Sequence, residues 1–91
     1  MNRQDAEKVC AEIRSCYNWQ FDPSAIGGGL VGFDRSTGKE AAQVRREFGL
    51  PRVKYVAEKR WQTFREVDVK GLNWQKRLAA FINSEFPEVT P

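Results

Sequence analysis

Glycine and proline cut this chain into short pieces. Gly27, Gly28 and Gly29 follow Pro23 in the stretch QFDPSAIGGGLVGF, Gly49 and Pro51 bracket Leu50, and Gly71 precedes the last apolar segment. Glycine at that density breaks helices, and proline removes a backbone donor. The fold must therefore be assembled from elements of modest length. The 91 residues suffice for one domain and not for two, so residues 1–91 are read as a single domain.

Between the breaks the apolar residues keep a period. Ala6, Val9, Cys10, Ile13, Cys16 and Tyr17 recur at steps of three and four, which predicts a helix over residues 3–18 with Asn2 as its cap and Asp5 in its first turn. Leu30, Val31 and Phe33 form an apolar pulse that reads as a short strand. The glycine triplet before it fits a hinge, a tight turn or a close backbone approach, with a simple loop as the plainest reading. At the other end Trp74, Leu78, Phe81, Ile82 and Phe86 form one stripe behind Asn73, with Pro87 beyond it, which predicts a C-terminal helix.

The middle of the chain supports two readings. Thr37 and Glu40 match a capping box, and Gly49, Leu50 and Pro51 spell a helix stop, so a helix burying Ala41, Val44 and Phe48 is predicted up to Gly49. The rival is that DRSTGK is a hairpin turn pairing LVGF with EAAQV. After Pro51, Val53, Val56, Ala57, Arg60, Trp61 and Phe64 keep helical spacing, which predicts a helix over 52–60. The stretch WQTFREVDV at 61–69 also alternates with period two and suits a strand. The expected fold is thus α+β and mainly helical: an N-terminal helix, a short strand, a helix-turn-helix pair, a strand or wing, and a C-terminal helix.

Several functions lose their chemistry at this level. The chain has no histidine, and its two cysteines fall six positions apart in the first predicted helix, about 9 Å of rise, too far for a mutual disulfide. Neither a zinc site nor a histidine-based catalytic group can be assembled, so no enzymatic activity, metal or cofactor is expected. The segment GFDRSTGKE fails as a phosphate loop because five residues rather than four separate Gly32 from Gly38 and Glu40 occupies the position of the metal-binding hydroxyl. Apolar runs are too short to cross a membrane, and the polar start MNRQDAEK does not resemble a secretory signal, which predicts a cytoplasmic protein.

Charge points elsewhere. Residues 44–77 hold ten of the 15 basic side chains against four acidic ones, in a chain whose net charge is +3. A positive excess of this kind favours phosphate backbones, because their neutralisation releases condensed counterions.

Within that basic region the segment VRREFGLPRVKYVAEKRW resembles the helix-turn-helix superfamily, with Val44, Phe48, Gly49 and Leu50 in the positions of the first helix and turn and Pro51 opening the second helix. Arg45 stands where the pattern has a small residue, and Tyr55 where it has a buried aliphatic. The resemblance implies that a helix over 52–60 enters the major groove of double-stranded DNA, and that 61–69 forms a wing like that of winged helices and excisionase-type proteins of mobile elements. Arg52, Lys54, Tyr55 and Lys59 would face the bases, and Arg45, Arg46, Arg65 and Lys70 the phosphates. A small DNA-binding regulator or accessory factor, acting as a homodimer, is the expectation. Two alternatives stand beside it: a protein-docking inhibitor or adaptor using Trp19, Trp61 and Trp74, and an RNA-binding α/β domain with exposed aromatics on a sheet, should the hairpin reading hold.

Overall fold

The computed structural model describes residues 1–88. Helix α1 (Arg3–Ala11) leads into five strands, β1 (Tyr17–Asp22), β2 (Gly29–Asp34), β3 (Glu40–Glu47), β4 (Leu50–Tyr55) and β5 (Arg60–Thr63), and helix α2 (Trp74–Glu85) follows. The strands form one antiparallel sheet in the order β1-β2-β3-β4-β5, each pairing with its sequence neighbour. The mainly helical expectation is therefore corrected: strand accounts for 36% of the described residues and helix for 24%.

No helix forms over 37–60. The hairpin reading of DRSTGK describes the observed structure, because β2 pairs with β3 from Leu30–Val44 to Phe33–Glu40, with a bulge after Gly32. Asp34 organises the turn: its carboxylate accepts from the Ser36 hydroxyl at 2.6 Å and from the amides of Ser36 and Thr37 at 2.8 and 3.0 Å. Those bonds, led by the Ser36 hydroxyl, hold its pKa below the ordinary value. Thr37, expected to cap a helix, instead accepts from the Lys39 amide inside the turn.

The second correction concerns Phe48, Gly49 and Pro51. Both central residues of the β3–β4 connection have positive φ, 52° at Phe48 and 73° at Gly49, the signature of a two-residue type I′ hairpin turn. The closing pair is Glu47–Leu50, so Arg46–Pro51 is the next, non-hydrogen-bonded pair and the missing N–H of Pro51 points away from β3. On that far side the Phe64 amide donates to the Pro51 carbonyl at 3.0 Å, so the proline forgoes only the reciprocal bond, at the very end of the β4–β5 pairing. The letters expected to stop one helix and open another thus close a hairpin and begin its second strand.

Elsewhere the helical periods mark real helices with shifted ends. Asn2 caps α1 by accepting from the Asp5 amide at 2.8 Å, but the helix stops at Ala11 and Tyr17 already belongs to β1. Asn73 precedes α2 as expected, although its left-handed backbone (φ 61°) leaves its side chain out of the cap. Residues 61–69 are a strand only as far as Thr63. The glycine triplet lies at the β1–β2 connection, where a Cβ on Gly28 would meet the Met1 carbonyl oxygen at 2.0 Å, a close backbone approach that only glycine permits.

Both helices lie on the same side of the sheet. Trp19, Leu30, Ala42, Val44 and Val53 point to that side and pack with Ala6 and Val9 of α1 and with Leu78, Phe81 and Ile82 of α2. Phe86 closes the core, its ring 5.2 Å from Trp19 and 5.4 Å from Tyr55. The indole N–H of Trp19 donates to the buried Ser15 hydroxyl at 3.0 Å, and Asn83 joins the helices by accepting from the Arg14 amide and donating to the Glu12 carbonyl.

Gly49 tests the turn. A Cβ there would lie 2.6 Å from Lys70 Cγ, and φ is +73°. Gly49→Ala should lower stability by about 1–2 kcal/mol, the cost of left-handed backbone in an L residue, read as a fall of several degrees in melting temperature; an unchanged midpoint would contradict the assigned turn.

Candidate nucleic-acid interface on the open sheet face

Strand alternation sends every second side chain away from the helices. Registration places Asn18 opposite Phe33, Gln20 opposite Val31, Gln43 opposite Lys54, Arg45 opposite Arg52, Arg52 opposite Thr63 and Lys54 opposite Trp61, all on the uncovered face. Val31, between Gln20 and Gln43, is buried by its neighbours. The face thus divides into an amide-rich half with Phe33 and a cationic half centred on Trp61.

Like charges directly opposite each other repel, so the Arg45–Arg52 pair needs compensation. Trp61 supplies part of it: its ring reaches across β4, with the Arg45 guanidinium 4.3 Å and the Arg52 guanidinium 5.4 Å from the ring centre. Each such contact contributes about 0.5–1 kcal/mol at a partly exposed site. Glu47 supplies the rest, its carboxylate 2.9 Å from Arg52 Nη1 and 4.0 Å from Arg45 Nη1. The neutralisation is incomplete, since Arg45, Arg52 and Lys54 cluster beside Glu47, while Glu40, further along this face, accepts from the Gln43 side-chain amide at 3.3 Å. Arg45 donates no side-chain hydrogen bond to any described residue, and the buried Nε atoms of Arg45 and Arg52 have no partner among them.

Of the residues expected to bind nucleic acid, Arg45, Arg52 and Lys54 are brought together here. Arg65 lies at the margin, lining a shallow groove with Phe48, Leu50, Arg52 and Thr63. The others diverge. Arg46 points to the helical side, where its Nε donates to the Val69 carbonyl at 2.7 Å and its guanidinium lies 4.1 Å from the Trp74 ring centre. Tyr55 also faces inward and donates its hydroxyl proton to Glu85. Lys59 occupies the β4–β5 turn with φ 58°, and Lys70 packs its stem against Gly49. Expected base contacts from a helix over 52–60 are therefore corrected: β4 and a turn occupy those positions, and they send Arg52 and Lys54 to one face and Tyr55 to the other.

Sequence reasoning missed Phe33, Asn18 and Gln20. The signal for Asn18 and Gln20 was the two-residue period of YNWQF, in which they alternate with Tyr17, Trp19 and Phe21, and Phe33 pairs with Asn18. Near Phe33 a second open groove, of about 430 Å³, is lined by Asn18, Gln20, Asp34, Arg35 and Gly38. Arg35 is already committed, its Nη2 donating to the carbonyls of Ser15 and Tyr17 at 3.2 Å.

No group of acidic, cysteine or histidine side chains suited to a metal ion occurs among the described residues. No described helix is long and apolar enough to cross a membrane. Cys10 is half-buried, and burial, then the nearby Glu7, raises its pKa, which keeps the thiol protonated. Comparison of the chain with family models, curated proteins and solved structures finds no match.

Tyr55 gives a pH test of the inward face. Burial first, then its hydrogen bond to Glu85 and the charges of Glu85 and Glu58, raise its pKa. The folded state keeps this proton where the unfolded chain loses it, so the contribution is complete below about pH 10 and disappears as pH rises through the raised value. Tyr55→Phe should make the alkaline loss of stability shallower in denaturation midpoints above that pH. Tyr17, also raised by burial, leaves part of the slope in place.

Proposed function

We propose that the chain binds single-stranded nucleic acid, as an RNA-binding α/β domain would, across the open face of its sheet. One observation carries the reading: the face that neither helix covers presents Arg45, Arg52 and Lys54 around Trp61, with Phe33 on the adjoining half. Unpaired bases stack on aromatic rings and guanidinium planes, while cations follow the phosphates. A duplex keeps its base faces inside its own stack and gains only the charge term. The DNA expectation accordingly changes from helix-in-groove reading of a duplex to stacking of an exposed strand on a sheet.

The protein-docking alternative relied on three tryptophans. Trp19 is in the core at 7% exposure and Trp74 lies beneath Arg46, which leaves Trp61 as the one of the three on the open face. The cationic surroundings of Trp61 favour a polyanion.

Fluorescence anisotropy with labelled oligouridine, oligothymidine and a duplex of equal length, over a range of salt, tests the proposal. About four neutralised phosphates predict a log–log slope near −3 for single strands. Arg45→Gln combined with Lys54→Gln should weaken binding at least tenfold and make that slope shallower by about 1.4. Lys76→Gln on α2 should change neither. Tighter binding to the duplex, or an equal loss from Lys76→Gln, would overturn the open-face assignment.

A further inference from the structure

Phe48 occupies a position that the fold gives no reason to fill with phenylalanine. As the first central residue of a type I′ turn it has φ 52°, a conformation that asparagine, aspartate and glycine tolerate and bulky side chains rarely adopt. The residue is also 94% exposed, so no burial offsets the backbone strain. Strain and exposure coincide in one residue. Such outliers persist at contact sites, where the gain arrives with the ligand.

The surroundings identify the ligand chemistry. Phe48 lines a groove of about 370 Å³ with Glu47, Leu50, Arg52, Thr63 and Arg65. Apolar contact comes from the ring and Leu50, and two guanidinium groups stand against one carboxylate. The groove continues from the cationic half of the open face, since Arg52 belongs to both and Glu47 pairs with it at 2.9 Å. An anion carrying a flat apolar ring suits this combination.

We infer that the β3–β4 hairpin tip is a stacking site for one unpaired nucleobase, with Phe48 as the platform and Arg52 and Arg65 beside its phosphates. The inference rests on the single-strand reading and extends it beyond the sheet to a terminal contact. A strand crossing the Arg45–Trp61–Arg52 cluster reaches the tip next, and Phe48 holds its last base.

Phe48→Asn separates contact from folding, because asparagine suits the turn. The variant should melt several degrees above the parent and bind a 12-residue oligouridine about tenfold more weakly, within the range expected for one lost base–aromatic stack. Its salt slope should equal the parent's, because ring stacking releases no counterions. Phe48→Trp, which keeps a stacking ring, should bind within twofold of the parent. If Phe48→Asn binds oligouridine as tightly as the parent, the tip contact is wrong while the open-face reading survives. A variant that alters only sedimentation would likewise overturn the base contact in favour of a second copy of the chain. If the parent itself fails to bind oligouridine at low salt, both readings fall.

Discussion

The two-residue turn at Phe48 and Gly49 sets the register on which the rest of the surface depends. A strand slipped by one residue exchanges its faces. With Glu47 and Leu50 as the closing pair, Val44 and Val53 meet on the helical side while Arg45 and Arg52 meet on the other. A loop one residue longer or shorter would turn Arg52 and Lys54 of β4 toward the helices and Val53 and Tyr55 away from them. The opposition of two guanidinium groups is the electrostatic consequence of that register, and Trp61 from β5, together with Glu47, makes it tolerable.

Coverage of one face only follows from how the two helices hold each other. Asn83 links α2 to the end of α1, Gln75 donates to Asp5 at 3.1 Å, and the Cys16 amide donates to the Phe86 carbonyl at 3.2 Å. Phe86 then fills the space among Tyr17, Trp19 and Tyr55. Both helices are thereby committed to the same side. The opposite side carries amides, cations and two aromatic rings with no layer above them, and this division of the sheet underlies its proposed use as a binding platform.

The start of α1, the C-terminal helix and the first apolar pulse were legible in sequence because each had one dominant period, whereas Cys16 and Tyr17 continued the helical spacing of α1 into what is the start of β1. Leu78, Phe81 and Ile82 admit only a helix, and Asn2 announces the start of α1. The centre was ambiguous because its residues satisfy both periods. Val53, Val56 and Ala57 suit a helix face, yet Val53 and Tyr55 equally suit one side of a strand, and only pairing with Ala42 and Val44 on β3 decides between them. That pairing is non-local and leaves no mark within a short window. Gly49 and Pro51 compounded the ambiguity, since positive φ at glycine ends helices and closes hairpins alike. The basic character of 44–77 was visible, but its division between two faces required the correct period. Arg46, Tyr55 and Lys70 were consequently grouped with side chains from which the sheet separates them.

An NMR titration of the isotopically labelled protein with a short oligouridine addresses the central claim most directly. Amide and side-chain signals of Asn18, Phe33, Gln43, Arg45, Arg52, Lys54 and the Trp61 indole should shift together, while those of Lys8, Glu12, Lys76 and Ala80 on the helices stay in place. Shifts confined to the helical side, with the Trp61 indole and Arg45 unmoved, would contradict the account.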